Sequence, residues 1–249
     1  GGAGVVSSHC SGLGASTHFI SAAGDDSNLR LAKKELKANK VTPYIIKDDS
    51  RPTTLKKRYR SKGKTLLRVS DLSENSINMD IQNKIISKVK TIIKKIDLII
   101  FSDFNYGVLP QHLVDKVIAL AKENEVMIAA DSQSSSQTGD ISRFLNVDLI
   151  TPTEREARIS LKDNQIGLVR LADKLLNKAS AANILLKLGE EGILVHPGSK
   201  KYNNEVTDRI GALNTSPKDV AGAGDSLLVS SALALLCGSN IWETSYIGS

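Results

Sequence analysis

The stretch KDVAGAGDSLLVSSALALLCG (218–238) sets small residues directly before an aspartate and a long apolar segment. A helix start leaves about four backbone N–H groups without intrahelical partners and carries roughly half a positive charge. Glycine and alanine keep side chains clear, so a phosphate can approach those N–H groups closely. The turn Gly222–Ala223–Gly224, opening an apolar helix near Ser226, therefore reads as an anion hole with Asp225 in its first turn. A carboxylate there repels phosphate unless it has a use. The use that fits is taking the proton of a hydroxyl that attacks phosphorus. The same residues also allow a plain helix cap behind a tight turn. The stretch is no P-loop, since GxxxxGK[ST] is absent, and it lacks the third glycine and preceding strand of a dinucleotide fingerprint.

Working outward, the chain alternates between two hydrophobic periods. Ile81, Ile85, Ile86, Val89, Ile92 and Ile93 recur at helical spacing, and DLIIFSD (97–103) follows as a buried strand. HLVDKVIALAKENE from His112 predicts a helix, VMIAAD (126–131) a strand and NVDLITPT (146–153) another. LVRLADKLLNKA predicts a helix leading into NILLKLG, with GILVH close behind. This rhythm predicts an α/β fold, a mostly parallel sheet with helices on both faces and ligands at the strands' carboxyl ends. DSQSSSQTGD (131–140) reads as a surface loop.

Bulk composition narrows the function classes. A chain of 249 residues holds one large α/β domain or two small ones. Its 4% aromatic content argues against a nucleic-acid stacking platform, and its longest apolar run is too short to span a bilayer. Neither nucleic acid nor membrane is an expected partner. Cys10 and Cys237 are too few for a disulfide framework and no signal peptide is visible, so a reducing cytoplasm is expected. The net charge of +6 is local: RPTTLKKRYRSKGKTLLRVS (51–70) holds eight basic side chains and no acidic one, and without them the rest stands at −2. Two β-prone runs around SKGK, with Gly63 as the turn, predict a hairpin lid over about 49–71. It reads either as a solvated Lys-rich hairpin or as a site for a phosphorylated small molecule. His9, His18, His112 and His196 share no metal spacing, and the IWETSY tail with Trp242 reads as helix surface or core.

DVAGAGDS resembles the D-[TV]-x-GAGDS signature of the ribokinase-like (PfkB) carbohydrate kinases, and other segments fall in that family's order. GGAGVVSSHCSGLGASTHFISAAGDD (1–26) resembles its GGxxxNxA…LG…GxD opening, TPTERE (151–156) its NxxE segment and LLKLGEEG (185–192) its TLGxxG segment. RPTTLKKRYRSKGKTLLRVSD, SDFNYGVL (102–109) and ITPTERE together look most like the branch that phosphorylates heptose 7-phosphate for ADP-heptose.

The resemblance implies a ribokinase-like three-layer sandwich over 1–249, an ATP- and Mg²⁺-dependent sugar kinase, and a role for each matching residue. Asp225 matches the catalytic base, and the amides of Gly222, Ala223 and Gly224 match the anion hole for the transferring phosphoryl group. Glu156 matches a glutamate that holds Mg²⁺ through water. Lys187 and Gly189 match positions beside the nucleotide phosphates. Gly1 and Gly2 match paired glycines that let the sugar reach the backbone. Asp103, at a strand end, is either a substrate contact or a turn residue, and Asp131 carries the same two readings. Arg51, Lys57 and Arg58 are the candidate cations for a phosphate on the acceptor, although strand alternation puts only half of the basic run on one face.

Four positions depart from the family pattern: Thr153 for the Asn of NxxE, Lys187 for the Thr of TLGxxG, Val5 for the opening Asn and Tyr106 for the branch's Lys. A first strand before Gly1 and an adenine-packing segment after Ser249 are expected to be missing. A homodimer meeting through the lids is expected, because a projecting hairpin needs its apolar face covered. The alternatives are another acceptor, such as fructose 6-phosphate or an unphosphorylated sugar, or a binding protein of the same fold without turnover.

Overall fold

In the computed structural model the described residues are 1–61, 64–134, 138–198, 206–214 and 221–249, the side chains of 64 and 65 excepted. The Gly63 turn, the middle of the serine-rich loop (135–137) and the head of the signature at Asp219 and Val220 lie outside them.

The apolar runs become the central sheet. β5 (Leu98–Asp103), β6 (Met127–Ser132), β7 (Leu149–Ile150) and β8 (Asn183–Lys187) are parallel neighbours in that order. β9 (Ile193–Pro197) pairs antiparallel with β8, because residues 188–192 are too short a link for a crossover, and β10 (Asp208–Ile210) adds antiparallel to β9. Alternation along each strand sorts side chains into two cores. Ile128, Ala130, Ile150, Ile184 and Leu186 face one layer, while Ala129, Leu149 and Leu185 face the other. The first layer is α3 (Met79–Ile92), α4 (Gln111–Glu123) and α6 (Leu168–Ala179), packed through Ile81, Ile85, Val117, Leu171 and Leu175. The second is α1 (Gly2–Gly12), α7 (Ala223–Leu236) and α8 (Ile241–Gly248), which buries Val6, Leu228, Ala232 and Ile241. The result is the three-layer sandwich.

The strand expected over 146–153 is confined to Leu149–Ile150. Pro152 has no N–H to continue the ladder, and Thr153 caps α5 (Glu154–Leu161) instead. Toward the N-terminus, β1 (His18–Ala23) and β2 (Thr42–Lys47) form a separate parallel pair joined by α2 (Ser27–Ala38). β3 (Leu55–Ser61) and β4 (Lys64–Asp71) form the antiparallel hairpin, with a register shift between Tyr59 and Arg60. No helix among the described residues is long and apolar enough to cross a membrane.

Candidate active site

α7 begins at Ala223, a turn earlier than the sequence predicts, with Gly222 as N-cap at φ 89°. That left-handed backbone favours glycine. Gly224 and Asp225 thus lie inside the first turn, where the amides are free of intrahelical partners. A Cβ on Gly224 would stand 3.3 Å from Lys187 Nζ, so the bare backbone keeps room for an ammonium against the helix start. Lys187, at the carboxyl end of β8, donates to Asp131 Oδ1 at 3.0 Å. Asp131 is fully enclosed at the carboxyl end of β6.

Asp225 is itself buried, 8% exposed, and accepts a hydrogen bond from Gln133 Nε2 at 3.0 Å on Oδ1. Burial pushes its carboxyl above the usual range and the Asp131 charge adds to this, while Lys187, His9 and the Gln133 hydrogen bond oppose. Asp131 is raised for the same first reason, burial, with Lys187 opposing and Glu156 adding. A carboxylate held reluctantly ionised at the mouth of an anion hole has the character of a general base.

Glu156 closes a capping box on α5: Thr153 Oγ1 accepts from its backbone N–H, and Oε2 accepts from the Thr153 N–H at 2.8 Å. Oε1 accepts from the Ser134 N–H at 3.0 Å. Each oxygen keeps a further lone pair, enough to hold a metal-bound water. Among the described residues, no group of three or more His, Cys, Asp or Glu side chains is arranged around a metal position.

A cavity of about 570 Å³ opens beside this cluster between the start of α5 and the end of β8. Thr153, Arg155, Arg158, Lys187 and Gly189 contribute to its wall, and Lys187 belongs to both cavity and cluster. Arg158 is tied to Glu154 and to the Ile166 carbonyl, whereas Arg155 is exposed at the rim. A smaller cavity of about 210 Å³ is lined by Glu74, Ser76, Asp103, Asn105 and Arg143 among others. Asp103 is buried, with Oδ1 accepting from the Asn105 N–H and Oδ2 from Arg143 Nη2 at 2.7 Å and the Ser132 hydroxyl.

Other expected contacts are placed differently. The space left by Gly2 is filled by the Phe104 ring, where a sugar was expected, and only Gly1 is open. Arg51 turns away from solvent. Nε pairs with Asp48 at 2.8 Å, Nη1 donates to the Tyr106 carbonyl and Nη2 to the Asn75 carbonyl, so each guanidinium nitrogen is already committed. Lys57 and Arg58 lie on opposite faces of β3. Lys56 Nζ sits 4.8 Å over the Tyr106 ring, which turns the Lys56–Arg58 face toward the loop after β5 and Lys57 away from it. Across the hairpin Arg58 pairs directly with Arg68. Sequence reasoning missed Arg68, Gln133 and Arg143. Strand parity of the basic run was the only signal for Arg68 and the polar DSQ at the end of β6 the only one for Gln133; Arg143 carried none.

A ribokinase-like sandwich with a glycine-capped helix start and a buried aspartate in its first turn is the architecture of a class of phosphotransferases. Residues 1–247 match the family model described as pfkB family carbohydrate kinase, and the chain belongs to that family. It is 31% identical over 240 residues to the Bifunctional protein HldE of Aliarcobacter butzleri (strain RM4018), covering 94% of this chain and 48% of that protein. The Bifunctional protein HldE of Helicobacter pylori (strain Shi470) is also 31% identical over 240 residues, covering 95% and 50%. The chain thus spans about half the length of these curated relatives. Among solved structures, the tetrameric inhibited form of phosphofructokinase-2 from Escherichia coli superposes with a TM-score of 0.79 at 17% identity, over 100% of this chain and 79% of that one. Adenosine kinase of Trypanosoma brucei brucei gives 0.81 at 13% identity, over 100% and 79%. These two likenesses speak to the fold alone.

Proposed function

We propose that the chain transfers the γ-phosphoryl group of ATP to a hydroxyl of a phosphorylated sugar, with heptose 7-phosphate as acceptor and heptose 1,7-bisphosphate as product on the way to ADP-heptose. The observation that carries this reading is the cluster at the start of α7, where Asp225, the glycine-lined amides and Lys187 converge. The acceptor hydroxyl gives its proton to Asp225. Its oxygen forms the new P–O bond as the bond between the γ-phosphorus and the bridging oxygen of ADP breaks. The amides of Gly222, Ala223 and Gly224 face the moving group, and Lys187 adds a positive charge at the same place. ATP fits the cavity running from Lys187 past Gly189 and Arg155, whose volume of about 570 Å³ lies within the range of nucleotide-sized sites. Glu156 would hold Mg²⁺ through water, and that ion would neutralise charge on the nucleotide phosphates.

The lid supports a phosphorylated acceptor. Arg58 and Arg68 directly opposed across two strands repel each other unless an anion lies between or before them. They share a face with Lys56, which rests on Tyr106 beside Phe104. These three replace Arg51 and Lys57 as the cations for the acceptor's phosphate. On the opposite face Tyr59, Leu67 and Val69 are exposed, 53%, 56% and 45%, and a second copy of the chain meeting them lid to lid would cover them.

The test measures ATP consumption with Mg²⁺ over a panel of sugars and sugar phosphates, wild type beside Asp225→Asn. Turnover on one sugar phosphate, falling by about 10²–10⁴ in the variant, is expected. An acceptor KM that rises in Arg58→Ala and Arg68→Ala, with the KM for ATP unchanged, assigns the lid. Equal turnover in wild type and Asp225→Asn would end the reading.

A further inference from the structure

Asp225 is held by a residue that no part of the phosphotransfer scheme above uses. Gln133 directly follows β6, and its Nε2 donates at 3.0 Å to Asp225 Oδ1, 92 residues further along the chain. Its own backbone is fixed on both sides. The Gln133 N–H donates to the Asp103 carbonyl at 2.9 Å, and the Gln133 carbonyl accepts from Asn105 Nδ2 at 2.9 Å. Asn105 adopts the left-handed region at φ 59°, and its N–H donates to Asp103 Oδ1 at 2.9 Å. Gly139 packs against this clamp, where a Cβ would collide with Asn105 Nδ2 and Ser132 Oγ.

We propose that Gln133 is the positioning residue of Asp225: its amide occupies Oδ1, fixes the carboxylate plane and leaves Oδ2 to receive the acceptor's proton. The inference rests on Asp225 as the base. A neutral donor suits this task better than a cation. The titratable groups facing Asp225 are Asp131 from β6, Lys187 from β8 and His9 from α1. A further ammonium at 133 would draw down the carboxylate's proton affinity and weaken the base, whereas an amide orients it with a smaller loss. The clamp also links the base to the SDFNYG loop, whose Tyr106 carries the lid's Lys56, so closure over the acceptor and alignment of the base share one segment.

The test uses Gln133→Met, which keeps length and removes the donor, and Gln133→Lys, which keeps a donor and adds charge. Both are assayed with ATP, Mg²⁺ and heptose 7-phosphate. For Gln133→Met we expect kcat to fall by about 10–100-fold with both KM values within about twofold, the mark of a misaimed catalytic group. The acid limb of kcat moves to higher pH in Gln133→Met and to lower pH in Gln133→Lys. A readout independent of turnover is the ¹³C carboxyl titration of Asp225 in the ligand-free protein, assigned by its loss in Asp225→Asn. Its midpoint rises in the Met variant and falls in the Lys variant. An unmoved midpoint in both variants overturns the proposal, as does a rise in acceptor KM alone with an unchanged acid limb. Midpoints that shift as expected in a protein that phosphorylates nothing in the panel uphold the contact and overturn the kinase reading instead.

Discussion

Arg51→Met separates two roles for one residue. As a phosphate ligand, Arg51 would change substrate affinity and little else. In the structure it is 7% exposed and ties the turn after β2 to the Asn75 carbonyl ahead of α3 and the Tyr106 carbonyl after β5. Methionine fills similar volume but strands Asp48, itself 4% exposed, without its cation. Removing one partner of a buried pair costs about 3–5 kcal/mol. Asp48 keeps donors from Ser50, its N–H at 3.1 Å and its hydroxyl at 2.6 Å, which points to the lower end of that range. At roughly 2–4 °C per kcal/mol for a chain of this size, a loss of about 3 kcal/mol lowers Tm by about 6–12 °C. The sign with pH also follows. Burial acts to raise the Asp48 pKa, but hydrogen bonds from Ser50 and the Arg51 pairing outweigh it and hold the carboxyl below its ordinary range. Its contribution is present above the ordinary carboxylate value and lost as pH falls through the folded one, so the variant's deficit shrinks in acid. Calorimetry across pH, with acceptor KM measured where the variant is folded, checks both. A Tm within about a degree of wild type, together with a tenfold rise in the KM of a sugar phosphate, would refute the structural role.

Three further variants probe the start of α7. Gly222→Ala meets no atom within 4 Å but must hold φ 89°, so it loses about 1–2 kcal/mol of stability. Gly224→Ala is helical and conformationally easy, yet its methyl enters the proposed anion hole 3.3 Å from Lys187 Nζ; Tm at or above wild type with kcat/KM for ATP down about tenfold or more is expected. The reverse ordering in thermal melts and kinetics would refute the anion-hole geometry. Asp225→Asn should raise Tm near neutral pH. Burial and Asp131 raise the folded pKa of Asp225, so its stabilising contribution is full below the ordinary carboxylate value and lost as pH rises through the folded one. Asparagine keeps an acceptor for Gln133 without the charge, and melts of the two proteins should converge toward acid; a variant less stable than wild type at neutral pH would refute the assignment.

What could be read from sequence was local. β5, β6, α3, α4 and α6 are written in apolar runs and helical periods, and the glycine-rich start of α7 is written in adjacent residues. β1 and β2 were not legible, because HFISAA and TPYIIK are half-buried and neither alternate nor run apolar. α5 is hidden for another reason: Thr153 and Glu156 have the spacing of a capping box, but the same spacing matches the family's metal-site segment. The partners of Asp103 and Asp225 lie 40 and 92 residues away in the chain, a distance at which pattern carries no information. In the lid the alternation was legible and its phase was not. Only the contact of Lys56 with Tyr106 reveals which half of the basic run faces inward.

The site concentrates unfavourable electrostatics where the surrounding fold is strongest. Asp131 and Asp225 share one ammonium, Lys187, and burial raises both, while Asp131 also feels Glu156 and Asp225 feels Asp131. Such a cluster does not stabilise a protein. It persists at the carboxyl ends of β6 and β8 because those strands are buried on both faces by two separate apolar cores, so the backbone beneath it does not yield. Lys187 shows the consequence for chemistry. Against Asp131 alone its charge is largely matched, yet it stands beside the helix-start amides, so in the proposed reaction the phosphoryl group would compete with Asp131 for the same ammonium. A threonine at 187 would offer a hydroxyl and leave Asp131 without its cation. The lysine and the buried aspartate therefore belong together as a pair, and the departure from the family's TLGxxG pattern is compensated within the site itself.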